Sequence, residues 1–328
     1  MSNIERFCLS SRVRIARNVK GLPFSSEMTD AERELLINKV QGALGNDYTY
    51  INFSSLPKIK KLSYVEKHIV SPQLLDTNKK TALFMNEDKS ISVMVGEEDH
   101  IRIQAFAEGS DLKKAAEKAF YAEELIEKSI EFMFDDKYGY ITKCPSNIGT
   151  GVRASVMMFL PATVNSKTIA GYSSELARHG MTLRGAFGER SGSVGDTYQI
   201  SNDKTIGISE EEIIENVNEI VNTLAKREEE NEKKLFLASE NMMKDEVMRA
   251  LGILSHAYMI SNDEAQGLIS KIRLGTNLGI VSVSVKDINS AMVNSFPSTL
   301  SIMLNKEFSS TEERDVCRAE YLKKIFGQ

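Results

Sequence analysis

TALFM at 81–85 and ISVMV at 91–95 are two short apolar runs, set on either side of the polar Asn86-Glu87-Asp88-Lys89-Ser90. Apolar runs of this length bounded by turn residues predict two strands joined as a β-hairpin. The next segment, Ile101-Arg102-Ile103-Gln104-Ala105-Phe106, alternates apolar and polar residues. That period of two predicts a third, half-buried strand. After Gly109-Ser110 the period lengthens. Leu112, Ala115, Ala116, Ala119, Phe120, Leu125 and Ile126 fall largely on one helical face. Strands joined by tight turns pair antiparallel, and a helix follows them, so the stretch predicts an α+β fold: an antiparallel sheet flanked by helices.

Reading outward, strand-like pieces recur at 138–142 and 197–201. A second helix starts at Ser209, where Glu212 completes a capping box and Ile213, Ile214, Val217, Ile220, Val221 and Leu224 recur at helical spacing. From Lys226 the chain reads KREEENEKK, a run that predicts a solvated helix face or connector. It divides the sequence into residues 1–226 and a mostly helical C-terminal domain, 227–328. In that second part 235–275 and 311–325 read as helix, and GIVSVSV at 279–285 as a strand.

Composition narrows the function classes. With 328 residues, 41% of them hydrophobic, the chain can bury a substantial core. A net charge of −5 argues against a non-specific nucleic-acid binder, so any affinity for phosphates must come from local arginine clusters. Cys8, Cys144 and Cys317 are too scattered for a disulfide framework or a zinc site. The opening MSNIERFCLSSRVR lacks the apolar centre of a secretory signal, and no apolar run approaches the roughly 18 residues of a membrane span. A soluble, cytoplasmic protein is expected, without membrane or direct nucleic-acid contact.

Phosphate-loop, dinucleotide, zinc-protease and nucleophile-elbow signatures are all missing. Four other segments carry chemistry. In Ser10-Ser11-Arg12-Val13-Arg14, a strand would place the two guanidinium forks on one side, about 7 Å apart, which suits adjacent phosphates. Taken alone, an exposed basic edge strand is the simpler reading. Glu97-Glu98-Asp99-His100-Ile101-Arg102 sets three acids before an apolar strand; alone, it is a solvated turn. Cys144-Pro145-Ser146-Asn147-Ile148-Gly149-Thr150-Gly151-Val152-Arg153 crowds small residues around a cysteine and an arginine, either an anion-binding loop or a tight turn. Arg184-Gly185-Ala186-Phe187-Gly188-Glu189 opens a glycine-rich stretch in which a carboxylate could close over a substrate or simply face water.

Together, and in this order, the four segments resemble the phosphagen kinase (ATP:guanidino phosphotransferase) family, whose hallmarks are S-x-R-x-R, E-E-D-H-x-R, C-P-[ST]-N-x-G-T-x-x-R and R-G-x-x-G-E. The first hallmark begins almost at once, without the helical domain that precedes it in small-molecule phosphagen kinases. Arg314-Asp315-Val316-Cys317-Arg318-Ala319 near the other end resembles a phosphoarginine-binding R-D-x-x-R-A motif; by itself it is a surface salt-bridge cluster. Both features point to the bacterial protein-arginine kinase branch.

The resemblance implies transfer of the γ-phosphoryl of ATP to arginine side chains, with Glu98 as general base, Glu189 as a second guanidinium clamp and Cys144 as an orienting thiolate rather than a covalent nucleophile. It assigns Ser11, Arg12, Arg14, His68, Arg102, Arg153 and Arg184 to ATP, and supporting roles to Glu97 and Asp99. Mg²⁺ is implied on the phosphates, with no metal site built by the protein. Arg314, Asp315 and Arg318 would bind phosphoarginine as an allosteric site. Implied partners are arginine-containing protein substrates, a zinc-binding activator, a heat-shock repressor whose repression is relieved, a Clp unfoldase and protease that degrades the marked proteins, and a second copy in a homodimer. A kinase of free arginine or another small guanidine, and a phosphoarginine-binding adaptor, remain as alternatives.

Overall fold

The computed structural model describes residues 5–75, 78–185 and 194–327. Their order begins with β1 (Cys8–Arg17), α1 (Asp30–Leu44), β2 (Tyr48–Asn52) and α2 (Lys58–Glu66). The hairpin run follows as β3 (Ala82–Asn86) and β4 (Ile91–Val95), then β5 (Ile101–Glu108) and α3 (Leu112–Glu127). A short ladder of β6 (Phe134–Asp135) and β7 (Gly139–Tyr140) precedes β8 (Val152–Phe159), α4 (Pro161–Asn165), α5 (Ile169–Arg178), β9 (Met181–Gly185) and β10 (Thr197–Asn202). Helices α6 (Glu210–His256), α7 (Asn262–Asn277), α8 (Val285–Asn294), α9 (Pro297–Leu304) and α10 (Thr311–Phe326) form the C-terminal part.

Eight strands make one antiparallel sheet in the order β2-β3-β4-β5-β1-β8-β10-β9, so the expected α+β architecture is borne out. The strand period of two gives this sheet two chemically different faces. Val13, Ile15, Ile103, Ala105, Val152, Ala154 and Val156 are fully buried on one face, in a core shared with α1, α3 and the start of α6. Arg12, Arg14, Arg102 and Arg153 alternate with them and therefore share the other face. β1 lies between β5 and β8, with Arg14 paired to Gln104 on one side and Arg153 on the other. It is a central strand, and the edge-strand reading of this segment is excluded. On the same face, beyond β4, a smaller apolar cluster of Phe53, Val70, Leu74, Leu83, Met85 and Met94 seats the segment after α2.

Helix α6 carries the chain from this core to a second one, containing Val247, Leu254, Ile269, Ile272, Leu322 and Phe326. Its backbone leaves helical geometry at Ser239 (φ −147°, ψ 34°). Two sequence expectations fail here. The acidic run at 226–234 is not a purely solvated face, because Glu228 and Glu232 are fully buried. Glu228 accepts from the amides of Ala162 and Thr163 and caps α4, while Glu232 meets Arg6 at 3.2 Å. Nor do residues 279–284 form a strand. The amides of Ile280 and Val281 close the end of α7 onto the Gly275 carbonyl, and Ile280, Val281 and Val283 pack on the second core. Alternation alone makes no strand without a neighbouring sheet edge to bond. Among the described residues no helix is long and apolar enough to cross a membrane.

Candidate active site

The arginine face is built row by row from strand register. Arg12 donates to Gln199 at 2.8 Å and approaches Gln104 at 3.5 Å. Arg153 is held by Ser201 and Thr182, both at 3.3 Å. Arg14 makes neither a hydrogen bond nor an ion pair among the described residues. Burial and the neighbouring guanidinium groups push Arg12 down to about 10 and Arg14 well below the usual arginine range. Cations held this close form a preorganised receptor for a polyanion. Arg14, Arg102, Arg153 and Arg184 line one cavity of about 350 Å³ together with Glu98 and Cys144.

The three acids at the start of β5 have different environments. Glu97 is buried, accepts from Arg102 at 2.8 Å and from Ser71, and so fixes the Arg102 fork. Asp99 is fully buried and accepts from Asn18 at 2.8 Å and from the Lys143 amide at 2.7 Å, tying the acidic turn to the Cys144 loop. Glu98 alone stays accessible, its side chain 39% exposed and 3.8 Å from Arg102. Burial raises its pKa, Arg102 opposes this, and the charges of Asp99 and Glu97 add to the rise. His100 receives the Val19 amide on Nδ1 and meets the Pro23 carbonyl through Nε2, so it braces the turn instead of facing the cavity. Gly96 closes that turn at φ +87°, where a Cβ would lie 2.7 Å from Arg33.

Cys144 enters the same cavity from the loop before β8, its Sγ 3.0 Å from Ser146 Oγ. Thr205 holds this loop through the Ser146 and Ile148 carbonyls. Gly151, at φ +64°, brings the loop back to β1; a Cβ there would lie 2.6 Å from Arg17 Nη1 and 2.7 Å from the Ala16 carbonyl.

Most of the expected residues converge, with exceptions. Ser11 does not join them. It shares the parity of Val13 and Ile15, is fully buried and bonds the Gly109 carbonyl; period two puts Ser10, not Ser11, on the arginine face. His68 lies beyond Arg12, its pKa lowered to about 3 by burial and by Arg12 and Arg14, so it is neutral near pH 7. Glu189 lies outside the described residues. Arg314, Asp315 and Arg318 sit on α10, remote in the chain from the sheet. Arg318 is fully buried, bonded to Asp315, the Ser295 carbonyl (2.7 Å) and the Ile260 carbonyl (2.9 Å), while Arg314 remains partly exposed.

Several supports were missed in the sequence. Gln104, Gln199, Ser201 and Thr182 were legible only after pairing aligned their parity with the arginines. Asn18, which holds Asp99 and the His100 amide, carries no local signal.

Residues 29–231 match the ATP:guanido phosphotransferase C-terminal catalytic domain, and residues 240–328 the protein-arginine kinase McsB C-terminal domain. The protein-arginine kinase of Clostridium acetobutylicum is 37% identical over 322 residues, covering 96% of this chain and 94% of that one. That of Caldanaerobacter subterraneus subsp. tengcongensis is 38% identical over 321 residues, covering 96% and 95%. Among solved structures, the duplicated taurocyamine kinase of Schistosoma mansoni aligns with a TM-score of 0.61 at 30% identity, over 68% of this chain and 33% of that one. Lombricine kinase aligns with a TM-score of 0.60 at 26% identity, over 69% and 67%. The chain belongs to the ATP:guanido phosphotransferase family, in its protein-arginine kinase branch.

Proposed function

We propose that this chain transfers the γ-phosphoryl group of ATP to a guanidinium nitrogen of arginine side chains in proteins. The observation that carries the reading is the single cavity in which Glu98 and Cys144 face Arg14, Arg102, Arg153 and Arg184. A guanidinium is a poor nucleophile until it is oriented and loses a proton. Glu98 is the accessible carboxylate, and its raised pKa favours uptake of that proton during attack. A new N–P bond then forms as the bond from phosphorus to the β-phosphate oxygen breaks, and ADP leaves. Arg12, Arg14, Arg102, Arg153 and Arg184 neutralise the charge that builds on the phosphate oxygens. Mg²⁺ would be held on those oxygens and add to this neutralisation.

Cys144 orients the acceptor electrostatically, and Glu189 clamps it in the family's manner. Residues 1–226 are the catalytic unit in this reading; 227–328 are a helical regulatory unit with phosphoarginine bound at Arg314, Asp315 and Arg318. Marking of proteins for a Clp-type protease, with a zinc-binding activator, a heat-shock repressor and a homodimeric assembly, belongs to the same reading and rests on the resemblance.

The test offers Mg-ATP with an unfolded arginine-rich protein or with free arginine, beside Glu98→Ala. Acid-labile phosphate on the protein, seen by ³¹P NMR and absent from the variant, is the expected result. Phosphate on free arginine alone would overturn the protein-substrate reading, and no phosphoryl transfer to either acceptor would overturn the activity.

A further inference from the structure

Asn18 is the first residue past β1 and is only 1% exposed. Its Nδ2 donates to Asp99 Oδ1 at 2.8 Å and to the Ile141 carbonyl at 3.1 Å, and its Oδ1 accepts from the His100 amide at 2.9 Å. The site therefore uses two donors and an acceptor at once, which a short side chain supplies only as an amide. These bonds also fix the direction of the amide. A flip would set its oxygen against Asp99 and Ile141 and its hydrogens against an N–H. The Asn18 carbonyl accepts from the Met133 amide (2.7 Å), and the Met133 carbonyl accepts from the Ile141 amide (3.0 Å). The chain that enters the Cys144 loop is thus tied to Asn18 through both backbone and side chain.

Asp99 carries the tie onward. The oxygen that takes Asn18 also accepts from the Lys143 amide at 2.7 Å. Glu98 directly precedes Asp99, and Cys144 directly follows Lys143. The accessible carboxylate and the thiol of the cavity therefore each stand one residue from an end of the same hydrogen bond, and a buried amide orients its acceptor. The arginines are held by other groups: Arg102 by Glu97, Arg12 by Gln199, and Arg153 by Ser201 and Thr182.

We infer that Asn18 is a positioning residue for phosphoryl transfer, which through Asp99 sets the distance between Glu98 and Cys144. This rests on the reading of Glu98 as base and Cys144 as orienting group. The acceptor guanidinium is planar and rigid, so both groups must stand at fixed places around it for one nitrogen to face the phosphorus. A misplacement of about 1 Å costs about 10²-fold in rate. Because the arginine cage does not depend on Asn18, a loosened clasp should spoil the chemistry and spare the binding of ATP.

The test compares the full chain with Asn18→Ala, which removes all three side-chain bonds, and with Asn18→Asp, which keeps the acceptor for His100 and sets a carboxylate against Asp99. With Mg-ATP and an unfolded arginine-rich protein, kcat should fall about 10²-fold in both, while KM for ATP stays within about twofold. An unchanged kcat, or a rise in KM for ATP that accounts for the loss, would overturn the inference alone. A wild-type chain that transfers no phosphoryl group would sink the kinase reading, and this inference with it. Amide exchange in the unaltered chain gives a readout that needs no variant. The Lys143 amide should exchange about tenfold more slowly than an unbonded loop amide, and exchange at the free rate would overturn the clasp. In the variants, exchange should quicken at Lys143 and His100 and stay slow in β1 and β8; protection lost across both strands would make Asn18 a support of the fold only and overturn its role in the reaction.

Discussion

Glu98 and Arg14 show how two charged side chains of the same cavity oppose stability and chemistry differently. A base must be ionised to take a proton, so kcat/KM should rise with pH through the Glu98 pKa. Burial places that acid limb above the ordinary glutamate range. Glu98→Gln should lower kcat by about 10²–10⁴-fold with an unchanged melting temperature, and a pH profile that retained the acid limb in this variant would assign the limb to another group. Arg14→Met should lower kcat/KM by about 10²–10³-fold, the scale of a lost preorganised donor. The same change should raise Tm without nucleotide, because it removes a cation that burial and three neighbouring arginines penalise; a fall in Tm would contradict the electrostatic account. At this scale most candidates were legible, since charged residues in unusual local contexts stand out. Ser11 was misread because its role depends on strand parity, and Asn18 went unseen because its partners lie 81 and 82 positions away in the chain.

At the scale of elements, hairpin β3–β4, strand β5 and helix α3 follow the periods that predicted them, because apolar alternation and helical spacing are local properties. Helix α9 depends on a distant element instead: its first amides end on Glu66 at the end of α2. Glu66→Ala should cost about 1–3 kcal/mol in denaturant unfolding, the range for a lost helix cap, and should speed hydrogen exchange in α9 while leaving α3 protected. Unchanged exchange in α9 would show that apolar packing alone holds it. The acidic run at 226–234 was misjudged for the same reason. A glutamate that caps a helix across the fold looks, in sequence, like one that faces water. Residues 279–284 fail as a strand because β structure needs an edge to bond, which no local pattern records.

On the scale of the whole molecule, Glu232 sits where α6 passes between the two cores, beside Arg6 and within 3.3 Å of Asn277. Burial outweighs Arg6 and raises its pKa from 4.5 to about 7. A raised folded-state pKa contributes stability fully present below pH 4.5 and lost as pH rises through about 7. Glu232→Gln should therefore flatten this dependence and stabilise the chain by roughly 2 kcal/mol at pH 8, read from urea unfolding at pH 5 and 8; an equal slope in variant and wild type would refute the assignment. The sequence by itself determined the α+β class, the arginines and carboxylates of the chemistry, and the family, because periodicity and short motifs are encoded by neighbours along the chain. Only the tertiary structure decided that β1 is central and that Glu98 alone of the three acids stays accessible. Those outcomes depend on strand order and burial, which are set by contacts between residues tens to hundreds of positions apart.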